Sequence, residues 1–248
     1  MVADGGPNID LEEDEPRPWD LSTRLSRRQL LWETAAVLCL AVLPAWIYGL
    51  GSLIWPDSVV PSFWEDFWYS LASSIQVCAP VLYFIGRSGE RWSDFGLARP
   101  RWVLDSLGGI AVWMVKLVLI ASLIRMLDTL LDRDQIEALT ALRDCPFSVP
   151  HSAAQWAALV VFIAASAFAE ELVMRGYLIR RFEQLLHSTW LSVLITTVLF
   201  AGYHCYQGPG GVVDAAASGF VYAVAFCLFR RLWPVVIAHT LHNLAAYL

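Results

Sequence analysis

The stretch Phe168-Ala169-Glu170-Glu171-Leu172-Val173-Met174-Arg175-Gly176-Tyr177-Leu178 sets two adjacent carboxylates and an arginine at the end of an apolar run. From Trp156 to Phe168 the chain is almost wholly Ala, Val, Leu, Ile and Phe, which predicts a membrane-embedded helix. An acidic side chain at the centre of such a helix costs roughly 2.5–3.5 kcal/mol, so two in succession predict a cavity, a pairing or chemistry. On an α-helix Glu171 and Arg175 are four apart and share a face in the favoured acid-before-base order. Glu170 points about 100° away from that pair. One carboxylate is neutralised locally; the other is left to work. The plainer alternative puts all three in interfacial water at a helix end, where the acids would oppose the helix dipole.

Composition agrees with a membrane setting. Of 248 residues 57% are hydrophobic and 16% charged, outside the usual range of soluble domains. The net charge of −6 owes much to the run Asp10-Leu11-Glu12-Glu13-Asp14-Glu15, which predicts a disordered acidic tail over residues 1–28. The remainder is nearly balanced, so no nucleic-acid partner is expected. No basic segment followed by a short apolar stretch and a cleavage site opens the sequence, and the first apolar helix is expected to stay as an anchor. Cys39, Cys78, Cys145, Cys205 and Cys227 are scattered without C-x-x-C spacing. They read as small buried hydrophobes, neither a disulfide framework nor a zinc finger.

Apolar segments over residues 30–54, 67–85, 107–131, 153–174, 190–204, 212–229 and 233–248 predict an all-α, polytopic membrane bundle of about seven to eight transmembrane helices. Residues 29–150 form an N-terminal transmembrane half and 151–248 a catalytic half. Trp55, Trp64, Trp68 and Trp190 suit interfacial belts. Arginines cluster before the first segment, after the second, after the fourth and after the sixth. The positive-inside rule then puts the N-terminus in the cytoplasm of a bacterial-type plasma membrane. On that face the stretch from Glu90 to Leu97 is expected to lie as an amphipathic segment. Lys116, centred in the third segment, is expected to snorkel or to pair with a carboxylate such as Glu170 or Glu171.

Three further polar groups fall in apolar helices: His204, and His239 with Asn243 one turn on. Counted at about 1.5 Å per residue, Glu170 lies roughly 16 Å from Arg181, His239 about 12 Å from Arg231 and His204 about 22 Å from Thr189. In a core about 30 Å thick these groups can meet at one level. A carboxylate and an imidazole holding a water between them can take its proton and direct hydroxide at a carbonyl. An imidazole N–H and an amide NH₂ on one face supply two donors to a developing oxyanion. That describes peptide hydrolysis, with Glu170 and His204 on the water, His239 and Asn243 at the oxyanion, and Glu171 with Arg175 in support. Glu170, His204 and His239 are also the residue types of a catalytic zinc site, so a zinc-dependent version stays open beside the cofactor-free one.

In order, Glu170-Glu171-x-x-x-Arg175-Gly176, Phe200-x-x-x-His204 and His239-x-x-x-Asn243 resemble the three motifs of the CPBP family of intramembrane proteases, which includes the type II CAAX prenyl endopeptidases and the Abi proteins. Ser218-Gly219-Phe220-Val221-Tyr222 and the run from Arg230 to His239 resemble the family's approach to its last motif; Ala223 stands where a glycine is common. The resemblance covers roughly residues 153–248. It implies a multi-helix membrane fold, glutamate-dependent hydrolysis without a metal, and a membrane-tethered peptide or protein substrate met in the lipid bilayer. It implies the same six roles for Glu170, His204, His239, Asn243, Glu171 and Arg175. Two other classes fit parts of the pattern: a non-catalytic bacteriocin-immunity or scaffold protein on the same fold, and a proton-coupled transporter using Lys116 and the buried carboxylates.

Overall fold

The computed structural model describes residues 23–55, 61–141 and 149–247. Nearly all of the expected acidic tail lies outside the described residues, as does Cys145. Among the described residues eight helices follow one another: α1 (Arg27–Ile54), α2 (Phe63–Ser88), α3 (Trp102–Leu130), α4 (Arg133–Thr140), α5 (Ala153–Leu186), α6 (Thr189–Tyr203), α7 (Gly208–Phe229) and α8 (Trp233–Ala245). Short 3₁₀ turns at Trp92–Phe95 and His204–Gln207 join α2 to α3 and α6 to α7. Among the described residues no strand is present.

Local sequence accounts for the helix ends. Ser26 and Ser62 open α1 and α2 with reciprocal capping boxes to Gln29 and Glu65, and Asp132 does the same for α4 with Gln135. The hydroxyls of Ser152 and Ser188 accept from Gln155 and Leu191 at the starts of α5 and α6. In α1 a π turn at Leu38–Val42 precedes Pro44. Proline lacks an N–H and crowds the carbonyl four residues back, and the wider turn accommodates both.

Among the described residues, five continuous helical segments are long and apolar enough to cross a membrane: Arg27–Ile54, Phe63–Ser88, Trp102–Leu130, Ala153–Leu186 and Thr189–Phe229. The chain is an integral membrane protein. Seven to eight spans were expected from the apolar runs. The five segments join α6 and α7 into one across the 3₁₀ turn, although Gly219 of α7 packs back against Thr197 and Phe200 of α6, and they omit α8, whose 13 residues are fewer than the roughly 20 a full span needs. Large apolar side chains cover the outside, including Val103, Leu104, Leu107, Val115 and Val118 of α3, a surface that only lipid solvates without cost. The interfacial tryptophans Trp55, Trp64, Trp68 and Trp190 are all exposed. The cysteines depart from expectation: Cys39 is exposed and Cys78, Cys205 and Cys227 are half-buried, all as free thiols, because the outward face of a membrane helix is as apolar as its core.

One end of the bundle carries a buried ionic layer. Glu90 accepts from Arg180 at 2.8 Å and from Arg181, and Gln184 and Thr23 add bonds of 3.0 and 3.1 Å. Glu33 pairs with Arg87, Glu183 takes both Arg230 guanidinium nitrogens at 2.9 and 3.0 Å, and Asp105 takes Arg231 at 2.8 and 2.7 Å. Beside them Phe95 is fully buried and stacks on Tyr177 with ring centroids 6.1 Å apart. The segment Glu90 to Leu97 is two-sided, as expected of an amphipathic stretch: Arg91, Trp92 and Ser93 are exposed, while the Glu90 carboxyl, Phe95 and Gly96 turn into the bundle. Its acid finds two arginines there, and its ring finds an aromatic partner. Burial opposes the Glu90 charge, but Arg181 and Arg180 outweigh it and hold the carboxyl below its ordinary range.

Candidate active site

Glu170 and Glu171 close the α-helical part of α5, and the next eight residues, Leu172–Ile179, form a π-helical stretch in which every residue is buried. Widened turns inside α-helices are frequent at functional sites. The stretch also lies between Glu170 and Arg181, so a uniform α-helical rise misjudges that depth. Across the bend, Glu171 and Arg175 still pair at 2.9 Å, both wholly buried.

Glu170 is half-buried, and its two oxygens are separately held. Tyr203 Oη donates to Oε2 at 3.0 Å and Ser166 Oγ to Oε1 at 3.3 Å. The carboxyl opens into a cavity of about 160 Å³ between α1, α2, α5 and α6, whose walls include Ala45, Ser70, Ser73, Val77 and Tyr203. Glu170 therefore lines a recess of the bundle that is open to the outside beside the exposed Tyr69.

His204 begins the 3₁₀ turn after α6. Its ring stacks on Tyr203 at 4.5 Å and on Tyr206 at 6.0 Å. Nδ1 stands 2.7 Å from the Phe200 carbonyl oxygen, and since a carbonyl only accepts, Nδ1 carries the proton. Nε2 is left with its lone pair. Tyr203 joins the two groups, bonded to Glu170 through its hydroxyl and stacked on His204 through its ring.

His239, on α8, is buried, and its Nδ1 lies 2.8 Å from Glu171 Oε1, the oxygen that Arg175 also binds. The second Arg175 Nη reaches the Gly219 carbonyl at 3.1 Å, and the guanidinium lies 4.5 Å over the Phe200 ring and 5.7 Å from that of Tyr222. His239 packs against the same two rings, at 5.9 and 5.7 Å. Asn243 follows one turn later and is half-buried. An ionised Glu171 accepts from Nδ1–H, so His239 offers a donor at Nε2 only as the imidazolium, with Glu171 as its counter-charge.

The structure thus assembles two groupings, Glu170 with Tyr203 and His204, and Glu171 with Arg175 and His239. Phe200 spans them, in contact with His204, His239 and Arg175. The sequence reading missed Tyr203 and Ser166 as partners of Glu170, and His239 as a partner of Glu171. Ser166 sits one helical turn before Glu170 and was open to detection by spacing; the other two contacts join residues 33 and 68 apart. A zinc ion would need three donors facing one point. Among the described residues no group of three His, Cys, Asp or Glu side chains converges in this way.

Lys116 does not reach either glutamate. It is almost wholly buried and pairs with Asp214 of α7, with His242 Nδ1 at 3.1 Å.

Residues 152–245 match the family model described as Rce1-like, type II CAAX prenyl endopeptidase Rce1-like. These residues form a CAAX-protease-family domain. No curated protein and no solved structure matches the chain. The family match begins at α5 and runs to the end of α8, so it takes in Glu170, Glu171, Arg175, His204, His239 and Asn243. It leaves out α1 to α4, although α1 and α2 build two walls of the cavity that Glu170 faces. At the family level the CAAX-protease domain carries endopeptidase chemistry in a membrane-embedded helical bundle.

Proposed function

We propose that this protein is an intramembrane endopeptidase that hydrolyses peptide bonds of membrane-tethered substrates through a water activated by Glu170 and His204. The observation that carries this reading is the Glu170 carboxyl itself, oriented by Tyr203 and Ser166, open to a recess of the bundle, and accompanied by an imidazole whose Nε2 lone pair is left available.

Glu170 takes one proton of the water and His204 Nε2 accepts a hydrogen bond from the other. The hydroxide oxygen bonds to the scissile carbonyl carbon, and the carbonyl oxygen becomes an oxyanion. The imidazolium Nε2–H of His239 and the Asn243 NH₂ donate to it, a contribution of about 2.7–4 kcal/mol per donor in soluble proteases. The C–N bond then breaks, and the proton held on Glu170 passes to the departing amine. Glu171 orients His239 through its Nδ1 contact, and Arg175 orients Glu171. By the positive-inside rule the N-terminus faces the cytoplasm of a plasma membrane, and the ionic layer lies on that side.

The test is cleavage of membrane-tethered peptides by purified protein in liposomes. Glu170→Gln and His204→Ala are each expected to lower the rate at least about 100-fold, the lower range of general acid–base contributions. Wild-type rates in both variants would overturn the reading. A strong chelator is expected to leave the rate unchanged.

A further inference from the structure

The four buried residues of α3 are Asp105, Gly109, Val112 and Lys116. At spacings of four, three and four they form one stripe along the helix, and the stripe faces α8. Asp105 takes Arg231 just before α8 begins. A Cβ on Gly109 would stand 2.7 Å from Ile237 Cβ and 2.9 Å from the Pro234 carbonyl, so the two helices touch where only glycine fits. Lys116 completes the stripe one turn before the end of α8. Its ammonium donates to Asp214 Oδ1 and approaches His242 Nδ1 at 3.1 Å, while His242 Nε2 stands 2.9 Å from Asp214 Oδ2.

The donors in that triangle have one consistent assignment. An ammonium cannot accept, so His242 Nδ1 accepts from it; a carboxylate cannot donate, so Nε2–H donates to Asp214. His242 is the neutral Nε2–H tautomer with both nitrogens engaged. Lysine and aspartate at membrane depth are costly, and apolar side chains of similar volume serve packing as well or better. What the charged triangle adds is direction. His242 and Asn243 are neighbours on α8, about 100° apart, so fixing the first fixes the rotation that aims the second.

We propose that Lys116, Asp214 and His242 are positioning residues that lock the last turn of α8 against α3 and α7 and so hold the Asn243 amide and His239 in register with Glu170. The role assigned to Asn243 rests on the endopeptidase reading above; the locking of α8 does not. It makes α3, which lies outside the family match, the splint of a helix inside it.

Two readouts test this on the full-length protein in detergent or liposomes. Hydrogen exchange of the backbone amides over residues 239–245, taken without substrate, is expected to lose protection in Lys116→Met and in His242→Leu. Protection over residues 153–171 should be retained. In cleavage assays the same variants are expected to lower kcat about 100-fold, the cost of a 1 Å misplacement, with KM unchanged. His242→Gln, which keeps a donor for Asp214 and an acceptor for Lys116, should restore both readouts. Unchanged exchange together with kcat within twofold of wild type in His242→Leu would overturn the proposal. So would His242→Gln behaving like His242→Leu. If wild type cleaves nothing, the endopeptidase reading fails and the exchange pattern alone decides the triad.

Discussion

The Nδ1–H of His204 points at the Phe200 carbonyl and that of His239 at the Glu171 carboxylate. Identical side chains are thereby set for different work. A carbonyl acceptor fixes the Nδ1–H tautomer of His204 and leaves Nε2 to accept, whereas the oxyanion role proposed for His239 Nε2 needs a proton on each ring nitrogen, Nδ1–H being held by Glu171. Tyr203 is the residue that tunes Glu170. Removing its hydroxyl in Tyr203→Phe deletes one hydrogen bond to a carboxylate, worth about 1.5–3 kcal/mol, and the expected result is a kcat about tenfold below wild type, well short of the loss in Glu170→Gln. Equal losses would mean that Tyr203 takes part in the chemistry directly. Arg175→Lys keeps the charge but cannot reach Glu171 and the Gly219 carbonyl together while covering Phe200. Because the pair is buried, the expected cost is roughly 3 kcal/mol, read as a lowered Tm. Contacts one turn apart, such as Glu171 with Arg175, were legible in the sequence. Contacts that depend on two helices meeting, such as Glu171 with His239, were not, because spacing carries no information on which faces will oppose.

Among the elements, the π stretch of α5 and the partners of Glu90 before α3 show where pattern reading stops. Apolar periodicity cannot separate an α-turn from a π-turn when all eight residues are buried, since no polar face marks the period. Glu90 looked like a surface charge because its partners, Arg180 and Arg181, lie 90 residues further on. Its carboxyl is held below the ordinary value of 4.5, so its contribution to stability is complete above that pH and is lost as the pH falls through the lower folded value. Glu90→Gln is therefore expected to lower Tm at pH 7, by the equivalent of about 3 kcal/mol for a broken buried pair. The gap from wild type should close as the solution is taken well below pH 4.5. A gap that persists there would show that packing, not charge, is what Glu90 supplies. On α3, Gly109→Ala pushes a methyl against Ile237 and the Pro234 carbonyl, neither of which is a flexible tip. Overpacking of this kind costs about 1–3 kcal/mol, and thermal unfolding of the variant would measure it.

For the molecule as a whole, the helical membrane class was legible from apolar segment lengths and the family from three ordered motifs, but the architecture of one end was not. Loop by loop, the arginines were visible; that they sink into a shared layer with Glu33, Glu90, Asp105 and Glu183 required the helices to be assembled. That layer joins the start of α1, the end of α2, the start of α3 and the ends of α5 and α7, so these points share one side of the bundle. Ser52, near the end of α1, lies about 39 Å along the helix from Ser26 at a rise of 1.5 Å per residue, enough to bring it to the opposite side of a core about 30 Å thick. Cysteine placed at either position in a background with the native cysteines replaced reports orientation through a membrane-impermeant thiol reagent. Under the cytoplasmic assignment of the N-terminus, Ser52→Cys is labelled in intact cells, and Ser26→Cys only after the cytoplasmic face is exposed in inverted vesicles. The reverse pattern would put the whole arginine layer outside, against the charge bias that sets topology.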